Sequence, residues 1–244
     1  MKQALSTHLF VNHKLTVTTL EAIERAGIPA IEIFCAKQHF DYTDAEQVRE
    51  LVAWFADHKL EVRSLHSPMY KDYNWGRTTG AAINIAELDR HRRLESVDEI
   101  KHALDVAEQI PFRYLVQHMG VAHEKFDLAK FDAAFASLEP LLVHAKQRGV
   151  QILLENIPNE LSTPEKLRSF LDYTRLSDLR VCFDTGHAHL GEGVKREFEA
   201  LRDLVVSTHI HDNGGNHDDH LFPGEGTIDW PATVRALSQA PHDL

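Results

Sequence analysis

Five apolar runs in this 244-residue chain end on a residue able to bind a metal ion: Leu65-His66, Gln117-His118, Leu154-Glu155-Asn156, Phe183-Asp184 and Thr208-His209. One such residue alone reads as a hydrogen-bonded core group, whereas five at the ends of five runs form a constellation. Two denser clusters add to it. In Asp184-Thr185-Gly186-His187 the chain must turn sharply after a buried run; Gly186 permits that turn, so Asp184 and His187 can face one cavity. From His209 to His220 the sequence holds more ligand types than a polar loop needs, and strand alternation puts His209 and His211 on one side. Imidazole nitrogens with carboxylate oxygens suit Zn²⁺, Mn²⁺ or Fe²⁺ better than the all-oxygen sites of Ca²⁺ or Mg²⁺.

Convergence of these residues requires a scaffold that gathers strand ends. Short apolar runs alternate with longer amphipathic segments, the signature of α/β architecture. Strands are predicted at Ala4 to Phe10, Ala30 to Cys35, Val62 to His66, Tyr114 to His118, Gln151 to Asn156, Arg180 to Asp184 and Val205 to His211. Helices are predicted near Thr18 to Ala26, Asp44 to His58, Leu94 to Gln109, Leu128 to Gln147, Pro164 to Tyr173, Val194 to Asp203 and Trp230 to Gln239. Thr43 with Glu46 reads as a capping box, Thr163-Pro164 as an N-cap followed by Pro at N1, and Gly27 and Gly149 as left-handed residues after helices. The long Ser67 to Arg93 segment, with Tyr70, Tyr73, Trp75 and Gly80, reads either as a lid or as a packed surface excursion. In a parallel barrel the carboxyl ends of the strands share one face, where the site residues would meet.

Composition narrows the function. At 43% hydrophobic and 26% charged residues the chain is ordinary for a single globular domain spanning 1–244. No apolar run suits a membrane span, and no secretory signal is visible, so the expectation is a cytoplasmic protein. Cys35 and Cys182 sit in separate apolar runs and read as reduced core thiols. The net charge of −11 argues against nonspecific binding to nucleic acid, which needs a dense basic surface. Its densest basic run, Arg90-His91-Arg92-Arg93, reads as a helix-start patch or a phosphate contact. Gly-x-Ser-x-Gly, Walker, dinucleotide and His-Glu-x-x-His motifs are all absent from the sequence.

Leu153-Leu154-Glu155-Asn156, Cys182-Phe183-Asp184-Thr185-Gly186-His187, His209-Ile210-His211-Asp212-Asn213 and the run from Asp218 to Trp230 resemble the xylose-isomerase-like barrel superfamily. It joins sugar isomerases and epimerases to the endonuclease IV type of DNA repair enzyme, and the likeness covers nearly the whole chain. The resemblance implies that Glu155, Asp184 and His209 are the metal ligands shared by both branches. His66 and His118 match further ligands of the endonuclease branch, and His187, Asp218 and His220 those of its third ion. It also implies Glu155 and His187 as catalytic residues, with His187, His66 and Glu225 against substrate.

Both branches complete the site with a Glu on an eighth strand, whereas only seven strands are readable here. The expected fold is therefore a TIM (β/α)8-type barrel with the eighth strand missing. The leading expectation is an isomerase or epimerase using a divalent metal, Zn²⁺ or Mn²⁺ first with Mg²⁺, Fe²⁺ and Co²⁺ as alternatives, on a sugar or sugar phosphate through an enediolate. The alternatives are a phosphodiesterase at abasic DNA and a metal- or sugar-binding barrel without turnover. A homo-oligomer is compatible with all three.

Overall fold

The computed structural model describes residues 2–73, 81–242 and 244. Strands β1 (Leu5–Ser6), β2 (Ala30–Phe34), β3 (Glu61–His66), β4 (Tyr114–His118), β5 (Gln151–Glu155), β6 (Arg180–Asp184) and β7 (Val205–His209) form one seven-stranded sheet. All pairs are parallel and follow chain order. The connections carry helices α1 (Val17–Arg25), α2 (Ala45–Asp57), α3 (Arg90–Asp105), α4 (Leu128–Gln147), α5 (Pro164–Thr174), α6 (Thr185–Leu190) and α7 (Val194–Leu201), and α8 (Trp230–Leu237) follows β7. The sheet is curled, because His209 on β7 lies 3.1 Å from Glu32 on β2. This is a (β/α) barrel with no eighth strand among the described residues. After α8 the chain returns to β1: the buried Leu244 accepts a hydrogen bond from Lys2 N at 2.7 Å.

Alternation along each strand separates two environments. Ile31, Ile33, Leu65, Leu115, Ile152, Leu154, Val181, Phe183 and Val205 point outward into the main core with the helices. Each such fully buried side chain contributes roughly 1.5–3 kcal/mol. The inward face carries a small apolar layer, Tyr114, Val116, Leu153 and Cys182. Next along the same parity come His118, Glu155 and Asp184, so the strand period that builds the core also aims the polar residues into the lumen.

Most boundaries agree with the sequence reading, with instructive exceptions. The first strand is two residues long, and Thr7–Phe10 is a 3₁₀ turn rather than strand. Asp44, not Thr43, caps α2, accepting from the backbone N–H of Glu46 and Gln47, while Thr43 bonds to Asp41. Helix α3 begins at Arg90, capped by Asp89, so the Arg90–Arg93 run is its exposed first turn. Thr163, Gly27 and Gly149 take their expected cap conformations. In the Ser67 to Arg93 segment, Tyr70 pairs antiparallel with Ala82, and Ile83, Ile85 and Ala86 are buried, so residues 83–86 join the core while residues 88–92 are exposed. Trp75 and Gly80 lie outside the described residues. No helix among the described residues is long and apolar enough to cross a membrane.

Candidate metal centre

Register brings the site together before any side chain is considered. His118 on β4 is paired with Glu155 on β5, and Asp184 on β6 with His209 on β7. His66 ends β3, so five neighbouring strand termini present His66, His118, Glu155, Asp184 and His209 to one rim.

Glu155 is the hub. Its Oε2 lies 3.1 Å from His118 Nε2 and 3.4 Å from His66 Nε2, and its Oε1 lies 3.0 Å from His209 Nδ1 and 3.4 Å from His187 Nδ1. Asp184, the last residue of β6, caps α6 by accepting from His187 N at 2.7 Å. Asn156 clamps the Asp184 backbone from both sides, with its Oδ1 accepting from Asp184 N and its Nδ2 donating to Asp184 O. On the outer side, His211 Nε2 is 3.0 Å from Asp184 Oδ1, and Asp218 Oδ2 receives His187 Nε2 at 3.2 Å and His220 Nε2 at 3.3 Å.

Three donor groups result, each with its ligand atoms within 4.8 Å of one another: His66, His118 and Glu155; Glu155, Asp184 and His209; and His187, His211, Asp218 and His220. An ion held at about 2.0–2.2 Å by N and O ligands sets its donors roughly 3–3.5 Å apart. The 3.0–3.4 Å separations around Glu155 have that spacing, and the mixed donor set fits a divalent transition-type cation. Among the ion pairs of the described residues, Glu155, Asp184 and Asp218 have only histidine partners.

The electrostatics follow from burial and from this pairing. Glu155 and Asp184 are each 1% exposed, and burial alone would raise their pKa values. His209 and His118 overcome it at Glu155, and His187 and His211 at Asp184, so both carboxylates stay below their usual range. Asp218 is likewise held low against burial by His187 and His220. Burial works against the charged imidazoles, yet His187 is raised well above the usual value by Asp184, Asp218 and Glu155, and His211 is raised chiefly by Asp184. His209 is also raised well above it, against burial, by its neighbours Cys182, Glu32 and Glu155. Burial pushes the Cys182 thiol up to about 12, so near neutral pH the two carboxylates carry that effect. Burial dominates at His118, which is lowered.

The loop after β7 is held by its own acid. Asp212 is fully buried and accepts from the backbone N–H of Asn213, Gly224 and Ile228 and from Trp230 Nε1. Those bonds, led by Trp230, overcome burial and lower it to about 2. Glycine is needed at two close approaches: a Cβ on Gly226 would lie 2.3 Å from Asp212 Oδ1, and one on Gly186 would lie 1.9 Å from His211 Cε1.

Of the sequence candidates, all but one enter these groups. Glu225 is exposed, and its carboxylate accepts from Phe222 N within its own turn. Three neighbours were not among the candidates. Glu32 on β2 bonds His209, and its signal was a lone carboxylate inside the apolar run Ala30–Phe34. His211 was noticed but given no ligand role; it acts from beyond the strand, which stops at His209. His8 lies against Phe34 and His220, and is lowered to about 4 by burial and by the nearby His220 and His66. A cavity of about 60 Å³ adjoins His118, lined by Met69, Tyr70 and Ile83 among others. A second of about 380 Å³, open to solvent, reaches Asn156, His187 and Glu197.

Comparison with known proteins places this geometry. The sequence profile of the xylose isomerase-like TIM barrel family matches residues 20–243. The chain belongs to that family. An uncharacterised protein of Methanocaldococcus jannaschii is 26% identical, over 100% of this chain and 81% of its own length. A fructoselysine 3-epimerase of Escherichia coli O157:H7 is 28% identical over 66% of this chain and 60% of its own, and a probable endonuclease 4 of Natronomonas pharaonis 29% over 63% and 61%. The chain thus spans about three-fifths of those last two relatives. Among solved structures, a D-tagatose 3-epimerase-like protein superposes with a TM-score of 0.81 at 25% identity, over 100% of this chain and 88% of that one. The IOLI protein with a bound zinc atom shares the fold, with a TM-score of 0.80 at 19% identity over 100% of this chain and 87% of that one. The relatives of this chain thus include both a sugar-type epimerase and a probable endonuclease 4.

Proposed function

We propose that this protein is a divalent-metal-dependent isomerase or epimerase of a small ketose-type sugar or sugar phosphate. The observation that carries the reading is the convergence of Glu155, Asp184 and His209 at the carboxyl ends of β5, β6 and β7. Similarity to a fructoselysine 3-epimerase and to a D-tagatose 3-epimerase-like structure supports it. A cation held by these three residues, Zn²⁺ or Mn²⁺ on donor chemistry, would polarise the carbonyl and hydroxyl oxygens of a bound sugar and so acidify the adjoining C–H bond.

The chain's own groups supply the rest. Glu155 is held ionised, so it is in the form that accepts the carbon-bound proton. As that C–H bond breaks, its electron pair moves into an enediolate. Return of that proton by Glu155 to the neighbouring carbon on the same face isomerises the sugar, whereas epimerisation needs a proton delivered to the opposite face of the same carbon by a second acid or by solvent while Glu155 keeps the first. His187 borders the larger cavity with both ring nitrogens engaged, Nδ1 by the Asn156 carbonyl and Nε2 by Asp218, so it would donate to a substrate hydroxyl only by giving up the Asp218 contact. His66, beside Glu155, would orient the substrate. Glu225 would join only if its turn opened.

Elemental analysis of the purified protein, followed by proton NMR of a ketose panel in D₂O, tests the reading. The expected result is exchange of the proton α to the carbonyl that stops on chelation and in Glu155→Gln. A protein that binds metal and sugar but exchanges no proton would instead be a binding barrel. The donor groups outside the Glu155–Asp184–His209 set favour one second reading, a multi-metal phosphodiesterase at abasic DNA. The net charge of −11 opposes it. Metal-dependent cleavage of an abasic duplex, without proton exchange on any ketose, would establish that second reading.

A further inference from the structure

His209 lies between two carboxylates. Its Nδ1 is 3.0 Å from Glu155 Oε1 and faces Asp184, whereas its Nε2 is 3.1 Å from Glu32 on the far side of the ring. We propose that Glu32 is the positioning residue of the metal centre, accepting the His209 Nε2–H and so leaving Nδ1 as the atom that binds the cation. The inference rests on His209 being a ligand of the Glu155–Asp184–His209 group.

Glu32 is a fixed acceptor. It is 6% exposed, Ser64 Oγ donates to its Oε2 at 2.8 Å, and Ser6 Oγ donates to its Oε1 at 3.3 Å. The backbone is shaped to present it. The β2–β3 register shifts between Ile31 and Glu32, so Glu32 pairs with Ser64 and Arg63 is the extra residue. Such a bulge re-aims the side chains beside it. Without the shift Glu32 would face Arg63, and the Ser64 hydroxyl would be lost as a donor. A buried carboxylate is costly unless charge-paired and hydrogen-bonded. Among the described ion pairs its partner is His209, not a Lys or Arg.

Glu32 is not itself a ligand, because it belongs to none of the donor groups that share a 4.8 Å span and the imidazole separates it from Glu155. A carboxylate behind a metal-bound histidine fixes the tautomer, orients the ring and raises its basicity, and removing such a partner costs about 10–100-fold in metal affinity.

The test is competition for Zn²⁺ between a chromophoric chelator and the full-length protein or its Glu32→Gln, Glu32→Ala, Ser64→Ala, His209→Gln and Glu32→Gln/His209→Gln variants. Glu32→Gln is expected to weaken the tightest site about 10–100-fold, Glu32→Ala at least as much and Ser64→Ala less, with unchanged Zn²⁺ stoichiometry at saturation. In the His209→Gln background, Glu32→Gln should have little further effect, a coupling that a merely structural role would not show. Long-range ¹H–¹⁵N spectra of the zinc-loaded wild type should find His209 protonated at Nε2. Wild-type affinity in both Glu32 variants, additive losses in the double variant, or a His209 protonated at Nδ1 would each overturn the proposal. A Co²⁺ spectrum showing loss of a ligand in Glu32→Gln would make Glu32 a direct ligand and overturn it too. If His209→Gln itself binds Zn²⁺ normally, the failure lies in the metal-site reading beneath it.

Discussion

Gly186→Ala adds one methyl group at the most crowded point of the centre. The new Cβ would lie 1.9 Å from His211 Cε1 and 2.3 Å from its Nδ1, inside the roughly 3.5–4.0 Å at which such atoms rest. The ring must therefore retreat by about 1.5 Å or more. That displacement breaks its 3.0 Å bond to Asp184, a hydrogen bond to a charged group contributing about 1.5–3 kcal/mol. Retreat is hindered, because the ring is stacked on His220 with centroids 4.1 Å apart. Against this, Ala is better than Gly in a helix by about 1 kcal/mol. The expected net loss is about 0.5–2 kcal/mol, or some 1–8 °C in Tm for a chain of this size. The assay is thermal and urea unfolding of metal-free protein, with zinc stoichiometry measured in parallel, since His211 belongs to the outer donor group. Gly27→Ala is the control: its Cβ meets nothing, and only its φ of +78° opposes the change. A Gly186→Ala protein that unfolds with the wild type and keeps its full zinc complement would refute the packing argument.

Other expectations follow from the electrostatics and the loop. Because His187, His209 and His211 are raised above 6.5 in the metal-free protein, a cation must displace their protons near neutral pH. Zinc affinity should thus climb as pH rises from 6 to 8, by about a decade per unit for each proton released, with acidification of weakly buffered solution; a flat profile would sink the assignment. Burial pushes the Glu197 carboxyl up to about 7 from 4.5, so the folded state binds the proton more tightly and stability falls as pH rises through that window. Glu197→Gln removes that loss and should be about 2–3 kcal/mol more stable than wild type at pH 8, yet nearly equal at pH 4, by urea titration. Asp212→Ala leaves three backbone N–H groups and the Trp230 indole without their acceptor and should lower stability by about 2–4 kcal/mol. Unchanged unfolding would show that the loop does not depend on it.

Strand identity and the rim position of His66, His118, Glu155, Asp184 and His209 were legible in the sequence, because a buried parallel strand is a short apolar run and its polar last residue marks the strand's end. So was the count of seven strands found among the described residues, a matter of counting such runs. Helix α6 was not legible: Asp184-Thr185-Gly186-His187 reads as a sharp turn, and only the Asp184 carboxylate accepting from His187 N shows a capped helix. Proximity across the lumen was equally hidden. His209 and Glu32 are 177 residues apart in the chain, and Glu32 looks like an isolated charge in an apolar strand. Their meeting depends on the curl of the sheet and on one extra residue in β3, neither of which leaves a periodic trace. Residue type and spacing marked the members of the candidate donor groups apart from His211. Closure of the sheet decided which nitrogen of His209 faces the shared carboxylates, because that choice depends on what stands behind the ring.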